Sequence, residues 1–445
     1  MIWNEAMECM AREDLAQLQR QRLCGVVERA HARVPCYRHR LDKSGVDPTD
    51  VKCLSDLRRL PFMSKADFRD HYPFGLFAVP IREVVRIHAS TGTTGKPTIV
   101  GYTRGDLETW AELCARCLAL AGARPGQVFQ NAYGYGLFTG GLGMHYGAER
   151  LGLTVIPASG GNTARQILLM KDLGTEVLAC TPSYALTLAD ALAQHQIGSG
   201  DLKLKTLILG AEPWTEAMRC ELEDRLDIDA VDIYGLSEVM GPGVANECVE
   251  AKAGAHIFED HFLVEVIDPR SLEPVGDGIT GELVFTTLTK EALPVIRYRT
   301  GDLASVTNAP CVCGRTHARM SRVVGRTDDM LIIRGVNVFP SQIAGVLADF
   351  HEISTHHQVL VTRDSHRDAL ETQAEVSADF FQKAGGAPAF RRDGGSERLL
   401  QLEKRIARRL HEVLGLHAIV TVLAPNQLPR SEGGKLQRVI DRRKC

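Results

Sequence analysis

The side chains of this chain that are best suited to chemistry lie in one short run before Pro97. The run comprises Ser90, Thr91, Gly92, Thr93, Thr94, Gly95 and Lys96. Glycines let a backbone come close to a phosphate, and free N–H groups, hydroxyls and an ammonium group donate hydrogen bonds to its oxygens. The run therefore predicts a phosphate-binding loop, with a Gly/Thr-rich turn that binds no ligand as the alternative interpretation.

This loop differs from the Walker A loop of P-loop NTPases. That motif places Ser or Thr directly after its lysine, where the hydroxyl holds magnesium, and a helix follows. Here Pro97 follows Lys96, and the flanking residues 84–88 and 98–102 have the composition of strands. We therefore predict a strand–loop–strand arrangement and a phosphate chemistry other than that of a P-loop NTPase.

A second candidate site follows the apolar run at residues 231–233. It is the sequence YGLSE, with Tyr234, Gly235, Ser237 and Glu238. A tyrosine ring can stack on a base, and a carboxylate can hold magnesium, which prefers oxygen ligands. The pattern indicates either a nucleotide pocket or an ordinary turn.

Two further runs place acids beside arginines. RYRTGD at 297–302 puts Asp302 just after a predicted glycine turn, where its carboxylate would accept hydrogen bonds from ribose hydroxyls or stabilise the turn itself. GRTDD at 325–329 contains Arg326 and Asp328, at the point where the predicted β/α alternation gives way to an α+β pattern. It indicates either a surface ion pair or a hinge with an arginine aimed at a nucleotide.

Near the C-terminus, the run PRSEGGK at 429–435 carries Lys435 on a glycine-rich tip. Most lysines are solvated surface groups. A lysine on such a loop can instead be delivered into a distant site as a mobile cation, so both interpretations stay open from the residues alone.

The cysteines offer one metal-binding pattern. Cys311 and Cys313 are close together, and Cys248 and His256 lie in an earlier polar segment. Three cysteines and a histidine are a ligand set of closed structural zinc sites, although the spacing is not that of a standard finger. The residues alone leave zinc binding and a metal-free loop equally open.

These candidates must be positioned by regular elements. Residues 1 to about 80 have helical patterns, and Leu15, Leu18 and Leu23 fit one face. From about 105 to 330, helical patterns alternate with short apolar runs, which predicts sheets covered by helices. After about residue 327 the predicted elements follow an α+β pattern, with a long helix at 396–414 between two strands. We see no internal repeat.

Composition excludes several classes of function. The 445 residues exceed one typical domain, and the net charge of −3 gives no electrostatic support for binding nucleic acid or an anionic membrane. No apolar run approaches the length of a membrane span, and the N-terminus lacks a signal core. We therefore expect a cytoplasmic protein whose twelve cysteines are mostly reduced.

Taken in order, the phosphate loop, YGLSE, RYRTGD, GRTDD and the late Gly-Lys resemble the adenylate-forming superfamily of acyl-CoA synthetases. The sequence is more closely similar to the phenylacetate–CoA ligase family. This likeness rests on YGYGLFTGG at 133–141, HYGAE at 145–149, GAEPW at 210–214 and LPRS at 428–431. It covers nearly the whole chain.

The resemblance implies an α/β fold in two domains. Residues 1–327 would form a large N-terminal domain of β-sheets covered by helices, which binds the nucleotide and the acid. Residues 328–445 would form a small, mobile α+β domain, joined to the first by a hinge at Asp328.

The resemblance also implies a role for each motif. The phosphate loop would hold ATP, Glu238 would bind magnesium, and Lys435 would be the catalytic lysine of adenylation. The remaining nucleotide set would be Gly210, Ala211, Glu212, Asp232, Tyr234, Gly235, Ser237, Asp302 and Arg326. The acyl pocket would be shaped by Tyr135, Phe138, Gly141 and Met144. Structural zinc would be held by Cys248, His256, Cys311 and Cys313.

The implied reaction activates an aryl or arylacetic acid with ATP and Mg²⁺, then transfers the acyl group to coenzyme A in a cytoplasmic homodimer. The alternative within enzymes is an aryl acid adenylating enzyme that loads a carrier-protein thiol or another acceptor. A nucleotide-binding module with a degraded site is disfavoured because Lys96, Glu238, Asp302 and Lys435 are all present. A zinc-dependent nucleic-acid binder is disfavoured by the net charge.

Overall fold

The computed structural model describes residues 1–90, 97–327, 331–334, 336–364, 367–390, 397–431 and 436–444. Several predicted site residues lie outside the described residues: Thr91, Gly92, Thr93, Thr94, Gly95, Lys96, Asp328 and Lys435. Their roles stay predictions, whereas the residues that flank them are described.

The helices lie in three groups along the chain. The first group is α1 (Glu5–Glu8), α2 (Arg12–Arg33), α3 (Pro35–Ser44) and α4 (Lys65–Asp70). The second is α5 (Arg104–Leu120), α6 (Thr139–Leu151), α7 (Thr163–Asp172), α8 (Pro182–Gln194) and α9 (Glu216–Leu226). The third is α10 (Pro340–Ala348), α11 (Ala378–Lys383) and α12 (Glu397–Leu414). Within the described part of the chain, no helix combines the length and apolar character needed to cross a bilayer.

The first strands build a hairpin and most of the main sheet. They are β1 (Arg86–Ser90), β2 (Thr98–Tyr102), β3 (Val128–Asn131), β4 (Thr154–Ile156), β5 (Val177–Cys180), β6 (Thr206–Gly210), β7 (Asp229–Leu236), β8 (Gly241–Glu247) and β9 (Ala255–Ile257). Then follow β10 (Phe262–Ile267), β11 (Gly281–Thr287), β12 (Tyr298–Ala304), β13 (Val306–Thr307), β14 (Arg319–Met320) and β15 (Gly325–Arg326). The last are β16 (Leu331–Ile333), β17 (Val336–Val338), β18 (Ile353–Asp364), β19 (Arg367–Val376), β20 (Ile419–Leu423) and β21 (Val439–Asp441).

The main sheet has the order β13-β14-β9-β8-β7-β6-β5-β3-β4. Strands β7, β6, β5, β3 and β4 are parallel, and β8 pairs antiparallel with β7. Helices α6 to α9 connect the parallel strands in turn. Such crossovers cover the sheet, which explains why β5 and β6 are buried along their whole length and read as continuous apolar runs. The predicted β/α alternation is confirmed.

A smaller antiparallel sheet, β10-β11-β12-β15, follows the main sheet in sequence, and β1 and β2 form a separate antiparallel hairpin. The predicted phosphate loop connects the two strands of this hairpin. The two strands of the predicted strand–loop–strand arrangement are therefore confirmed. They pair from Arg86 with Tyr102 to Ser90 with Thr98.

The C-terminal part of the chain forms a separate sheet with a helix packed on it. Strands β20-β19-β18-β21 form one sheet, and α12 packs on it through a face that is buried at Leu399, Leu402, Ile406, Leu410 and Leu414. This spacing of three and four residues is that of an amphipathic helix. The buried apolar residues of 331–422 form a cluster separate from the two clusters that lie within 23–320.

Helices α5 and α6 pack closely at Gly147. A Cβ built at Gly147 would lie 2.3 Å from Cβ of Cys114, so an alanine would push the helices apart. We expect Gly147→Ala to destabilise the protein by about 1–3 kcal/mol. The matched control is Gly25→Ala in α2, where a Cβ meets no atom within 4 Å and the gain in helix propensity stabilises by about 0.5–1 kcal/mol.

Thermal unfolding of the two variants measures this difference. A lower melting temperature for Gly147→Ala, together with an equal or higher one for Gly25→Ala, is the expected result. Equal melting temperatures would contradict the close approach of α5 and α6.

Candidate active site and cysteine–histidine cluster

The order of the parallel strands creates a crevice at one edge of the main sheet. From β3 the chain passes to β4 on one side and then returns to β5 on the other side of β3. In doubly wound sheets, ligands bind outside the carboxyl ends of the strands at such a reversal. Three predicted motifs follow the carboxyl ends of β3, β6 and β7, so the fold brings them to one edge.

At the end of β6, Gly210 lets two strands approach. A Cβ on Gly210 would lie 2.3 Å from the backbone oxygen of Ile233 on β7. The next residue, Ala211, has a φ of 70°, a conformation that is uncommon for a residue with a side chain. This turn points Glu212 toward the backbone N–H groups of Ser183 and Leu436, whose nitrogens lie 3.3 Å and 2.6 Å from its two carboxylate oxygens.

At the end of β7, Tyr234 joins the main sheet to the smaller sheet. Its hydroxyl donates to Asp302 at 2.7 Å, and the guanidinium of Arg326 donates to the other carboxylate oxygen of Asp302 and, at 3.1 Å, to the backbone oxygen of Thr300. Burial, followed by the charge of Asp302, raises the pKa of Tyr234 well above its ordinary value. Three predicted nucleotide residues from separate motifs are therefore in direct contact.

The setting of Asp302 differs from the sequence prediction of a residue placed after a turn. Asp302 lies inside β12, which continues through Gly301 at a φ of 79°. The ladder between β11 and β12 shifts register in this region, between Glu282 and Val284. The glycine thus accommodates an irregularity in the strand, and the interpretation of Asp302 as a turn-stabilising residue is wrong.

Glu238 and Ser237 lie just beyond Tyr234 and Gly235. Ser237 faces Thr139, the first residue of α6, with the two hydroxyl oxygens 3.3 Å apart. Glu238 is buried, and its backbone oxygen accepts a hydrogen bond at 3.3 Å from Nζ of Lys290.

Lys290 is a fully buried cation beside this motif, and its Nζ lies 4.9 Å from the ring centroid of Tyr102. Burial lowers the pKa of Lys290 to about 8, although the charges of Asp106 and Glu238 oppose the shift. The sequence analysis missed Lys290, since one lysine after a strand carries no pattern.

Asp232 takes part in a different set of contacts. Its carboxylate accepts from Nε1 of Trp214 at 2.9 Å, and its backbone N–H donates to Glu247 at 2.9 Å. Burial, followed by the charge of Glu247, raises the pKa of Asp232 to about 6. These contacts tie Asp232 to the protein itself, and its nucleotide contact stays a prediction.

The predicted acyl-pocket residues follow β3. Asn131 donates to the Tyr135 hydroxyl at 3.0 Å, and Nδ1 of His145 lies 3.1 Å from the same oxygen. Nε2 of His145 in turn lies 3.1 Å from Glu149. Burial raises the pKa of Tyr135 to about 12, so its hydroxyl stays protonated at neutral pH. The hydroxyl is thus held in one place by a chain of polar side chains.

The other three residues of the acyl set differ in exposure. Phe138 is 50% exposed, whereas Gly141 and Met144 in α6 are buried. A Cβ on Gly141 would lie 2.6 Å from the backbone oxygen of Gly134, so this position leaves no room for a side chain. The predicted acyl-pocket set therefore combines one fixed tyrosine with the closely packed start of α6.

Strand β1, which precedes the predicted phosphate loop, holds two buried polar atoms without a hydrogen-bond partner among the described residues. They are Oγ of Ser90 and Nε2 of His88. The His88 ring lies edge-on to the rings of Tyr102 and Trp110, and its Nδ1 is 3.1 Å from the backbone oxygen of Leu137. Burial lowers the pKa of His88, which favours the neutral ring. The sequence analysis missed His88 because nothing in its spacing distinguishes it from a core residue.

The four predicted metal ligands converge. One ligand atom from each of Cys248, His256, Cys311 and Cys313 lies within 4.8 Å of all the others. Sγ of Cys248 is 3.6 Å from Sγ of Cys311, and Sγ of Cys313 is 3.4 Å from Nε2 of His256. A tetrahedral zinc ion with its ordinary bond lengths needs separations of about 3.8 Å and about 3.5 Å for these two pairs. The donor set and its spacing fit such an ion.

This cluster lies away from the crevice. Cys248 follows the carboxyl end of β8, and His256 lies in β9 opposite Asn246 of β8. Because β8 runs antiparallel to β7, the carboxyl end of β8 lies at the opposite edge of the sheet from the motif after β7. The position favours a structural role over a catalytic one.

Comparison with known proteins agrees with these features. Residues 26–288 match the model of the AMP-binding enzyme family, and residues 335–443 match that of the AMP-binding enzyme C-terminal domain. The chain is 54% identical to the phenylacetate-coenzyme A ligase of Thermus thermophilus over 445 residues, which is 100% of both chains. It is 48% identical to the phenylacetate-coenzyme A ligase of Escherichia coli over 448 residues, covering 100% of this chain and 99% of that one.

Among solved structures, the chain resembles a 2-hydroxyisobutyryl-CoA ligase at 30% identity, covering 99% of this chain and 92% of the other. The TM-score is 0.88 for that ligase in its postadenylation state with an acyl-AMP, and 0.71 in its thioesterification state with CoA. The same ligase thus matches better in one state. The overall arrangement of this chain is therefore more similar to the first of these two structures than to the second.

Proposed function

Because the chain belongs to the phenylacetate–coenzyme A ligase family of AMP-binding enzymes, we propose that it converts phenylacetate, ATP and coenzyme A to phenylacetyl-CoA, AMP and pyrophosphate. The observation that carries this proposal is the contact between Thr139 of the predicted acyl motif and Ser237 of the predicted nucleotide motif, at the carboxyl ends of β3 and β7. The enzyme is an acid–CoA ligase that works through an acyl adenylate.

In the first step, the substrate carboxylate attacks the α-phosphorus of ATP, and pyrophosphate leaves with the electrons of the broken P–O bond. Negative charge grows on the α-phosphate oxygens. Lys435 and the loop Thr91–Lys96 would stabilise that charge, and Glu238 would hold Mg²⁺, which neutralises the leaving pyrophosphate. No protein nucleophile is required.

In the second step, the thiol of coenzyme A attacks the carbonyl carbon of the mixed anhydride. The bond between the acyl group and AMP breaks, AMP leaves as an anion, and the thiol proton passes to solvent. Lys435 would obstruct the thiol's approach, so rotation of the small domain about Asp328 would separate the two steps.

The nucleotide would be held by groups that the structure brings together. The carboxylate of Asp302 would accept from the ribose hydroxyls, with its orientation set by Tyr234 and Arg326. The turn at Gly210, Ala211 and Glu212 would line the adenine, together with the ring of Tyr234.

The acyl group would lie between Tyr135 and the start of α6. The apolar and aromatic character of this region favours an aryl or arylacetic acid over a polar or very long acyl chain. A second feature of the proposal is a structural Zn²⁺ held by Cys248, His256, Cys311 and Cys313, whose spacing fits it. A cytoplasmic homodimer stays a prediction.

The function is tested by measuring pyrophosphate release with ATP, Mg²⁺ and a panel of aryl carboxylic acids, with and without coenzyme A. We expect phenylacetate to give the highest turnover and a CoA thioester to accumulate. Pyrophosphate exchange without any thioester would instead indicate a carrier-loading enzyme. No acid-dependent pyrophosphate release would contradict the whole proposal.

We expect Asp302→Asn to raise the KM for ATP by about 10- to 100-fold, because a carboxylate binds ribose hydroxyls with charge-assisted hydrogen bonds. Asparagine keeps the shape of the side chain but loses the charge that pairs with Arg326, so the melting temperature should also fall. Steady-state kinetics with varied ATP measure the effect.

The matched control is Asp277→Asn, an exposed position where Asp277 accepts from Thr307 and Asn308 at the surface. Its KM for ATP should equal that of the unmodified enzyme. If the folded Asp302→Asn enzyme kept the KM of the unmodified enzyme, Asp302 would not bind the ribose.

A further inference from the structure

Four fully buried side chains that carry polar atoms lie together outside the predicted site motifs. They come from β1, β2, α5 and the segment after β11, and they are His88, Tyr102, Trp110 and Lys290, none more than 1% exposed. We propose that this buried cluster positions the acid and the nucleotide for adenylation, because its donors hold both the loop at 137–138 and the segment 238–242. The proposal rests on the proposed function and assigns it four positioning residues.

The four side chains of the buried cluster form one packed unit. The rings of Tyr102 and Trp110 are stacked, with centroids 4.8 Å apart and planes 11° from parallel. The His88 ring lies edge-on to both, at centroid distances of 5.6 Å, and Nζ of Lys290 is 4.9 Å from the Tyr102 centroid. Aromatic and cation–π contacts have preferred geometries, so a shift of one side chain disturbs the others.

Three donors of the buried cluster hold alternate backbone oxygens in the segment 238–242. The bonds run from Lys290 Nζ to Glu238 at 3.3 Å, from the Tyr102 hydroxyl to Met240 at 2.7 Å, and from Trp110 Nε1 to Pro242 at 2.7 Å. Glu238 and Met240 are buried in the turn between β7 and β8, outside the ladder of these strands. Because a buried backbone oxygen left unpaired costs free energy, these donors restrict where the turn can lie. The turn carries the predicted nucleotide residues Ser237 and Glu238.

His88 holds the other part of the site, the loop at 137–138. Its Nδ1 lies 3.1 Å from the backbone oxygen of Leu137, which also accepts from the Ala89 N–H at 2.8 Å. Because a backbone oxygen can only accept, Nδ1 carries the proton of the neutral ring. The next residue, Phe138, belongs to the predicted acyl pocket. His88 therefore helps to fix the loop that carries Phe138.

A carboxylate of α5 fixes the segment that carries Lys290. Asp106 accepts the backbone N–H groups of Glu291 at 2.6 Å and Ala292 at 2.9 Å, and that of Thr103 at 2.9 Å. Thr103 directly follows β2 and precedes α5. Lys290 is therefore tied to the elements that carry Tyr102 and Trp110, although it lies far from them in the sequence.

The two parts held by the buried cluster follow different strands of the main sheet. The loop at 137–138 comes after β3 and the segment 238–242 comes after β7. Attack on the α-phosphorus requires the reacting atoms to lie about 3–3.5 Å apart, and a misplacement of about 1 Å can cost about 100-fold in rate. A shared anchor is suited to keep both substrates in register. Each arm should then affect mainly one substrate, with His88 as the acyl arm and the other three residues as the nucleotide arm.

The nucleotide arm is tested by Tyr102→Phe, which removes one hydroxyl and keeps the ring. We expect the KM for ATP to rise by about 3- to 10-fold, as for the loss of one hydrogen bond, and the KM for the acid to stay within about twofold. Lys290→Met should shift the KM for ATP in the same direction. Steady-state pyrophosphate release at varied ATP and varied acid measures both constants. The rise in melting temperature that ATP alone gives should shrink in both variants, which reports binding without turnover.

The acyl arm is tested by comparing His88→Leu with His88→Asn. The amide nitrogen of asparagine can take the place of Nδ1, whereas leucine has no donor. We expect His88→Leu to raise the KM for the acid by about 3- to 10-fold and His88→Asn to raise it by less than about twofold. The KM for ATP should be unchanged in both. Equal effects of the two substitutions would contradict a positioning role for the His88 N–H.

The matched control is Tyr37→Phe. Tyr37 is also buried, and its hydroxyl donates to the backbone oxygen of Pro294 at 3.0 Å, outside the predicted site motifs. This substitution should lower the melting temperature about as much as Tyr102→Phe does and leave both KM values unchanged. The comparison separates positioning from stability, because similar losses of stability then have different effects on substrate binding.

An unchanged KM for ATP in Tyr102→Phe and Lys290→Met would overturn the proposal, and so would a parallel rise of both KM values in every variant, Tyr37→Phe included. The unmodified enzyme is assayed in parallel for the CoA thioester. If it released pyrophosphate with an acid but formed no thioester, the proposed function would fail, while the KM values would still test the buried cluster. The two failures are therefore distinguishable.

Discussion

Replacing Lys435 by alanine should slow formation of the acyl adenylate by about 100- to 1,000-fold, the cost of removing one donor aimed at charge that develops in the transition state. Thioester formation from premade acyl adenylate should stay within about threefold of the unmodified rate, since the α-phosphate is already transferred when the thiol attacks. Two separate single-turnover assays, one for pyrophosphate release and one for thioester, measure the two rates.

The matched control is Lys383→Ala on α11 of the same domain. Lys383 is an exposed lysine paired with Asp379 at 2.7 Å, a surface ion pair that contributes little. Both half-reactions of this control should equal those of the unmodified enzyme. If Lys435→Ala slowed the two steps to the same extent, the proposal that Lys435 acts in adenylation and not in thioester formation would be refuted.

The common location of the motifs at the strand ends could be predicted from the sequence. Each motif lies near the end of a strand in the chain, and in a parallel sheet the carboxyl ends of these strands lie side by side. A parallel β/α alternation brings every strand's carboxyl end to one edge. The residues after β3, β6 and β7 therefore had to lie together, once the short apolar runs were recognised as strands. Tyr234 comes directly after the apolar run at 231–233, whereas Tyr135 and Glu212 were assigned to the site only from the family resemblance.

Contacts between separate sheets could not be predicted in this way. The bond between Tyr234 and Asp302 joins residues 68 positions apart, and it depends on an irregular stretch of β12 at Gly301. Sequence placed Asp302 after a turn, because a glycine before an acid is typical of turns. The strand continues because β12 pairs with β11 and β15 on both sides beyond this glycine.

Single residues outside motifs were also missed, for a related reason. The residues next to Lys290 in the sequence indicate only a loop, and those next to Asp190 indicate only a helix. Their chemistry comes from groups that lie far along the chain: Tyr102 and Glu238 for Lys290, His356 and Arg430 for Asp190. On α2, Leu18 was expected in the buried face, but Gln19 is buried instead and donates to the backbone oxygen of Glu259.

The cysteine–histidine cluster gives the second large expected effect. The purified protein should contain about one zinc per chain, and Cys313→Ser should lose that zinc and lower the melting temperature by more than about 10 °C. The matched control is Cys220→Ser, which changes an exposed cysteine outside the cluster and should change neither value. Metal analysis and thermal unfolding, with and without a chelator, measure both.

The size of this effect follows from what the cluster connects. Cys311 and Cys313 lie in an irregular segment between β13 and β14, whereas Cys248 directly follows β8 and His256 lies in β9. Without a metal, three thiols and an imidazole remain close together, with Nδ1 of His256 buried and unpartnered among the described residues. A hydrogen bond between Cys248 and Cys313 lowers the pKa of the Cys313 thiol and raises that of Cys248.

Loss of zinc should therefore loosen the segment that also carries Arg315, whose guanidinium pairs with the buried Glu8 of α1 and thereby holds the N-terminal helix. Since this cluster lies at the opposite edge of the sheet from the active-site crevice, the KM for ATP at low temperature should be unchanged in Cys313→Ser. A metal-free protein with the full melting temperature would show that the four side chains pack without an ion. A changed KM with unchanged stability would instead place the cluster in the catalytic machinery.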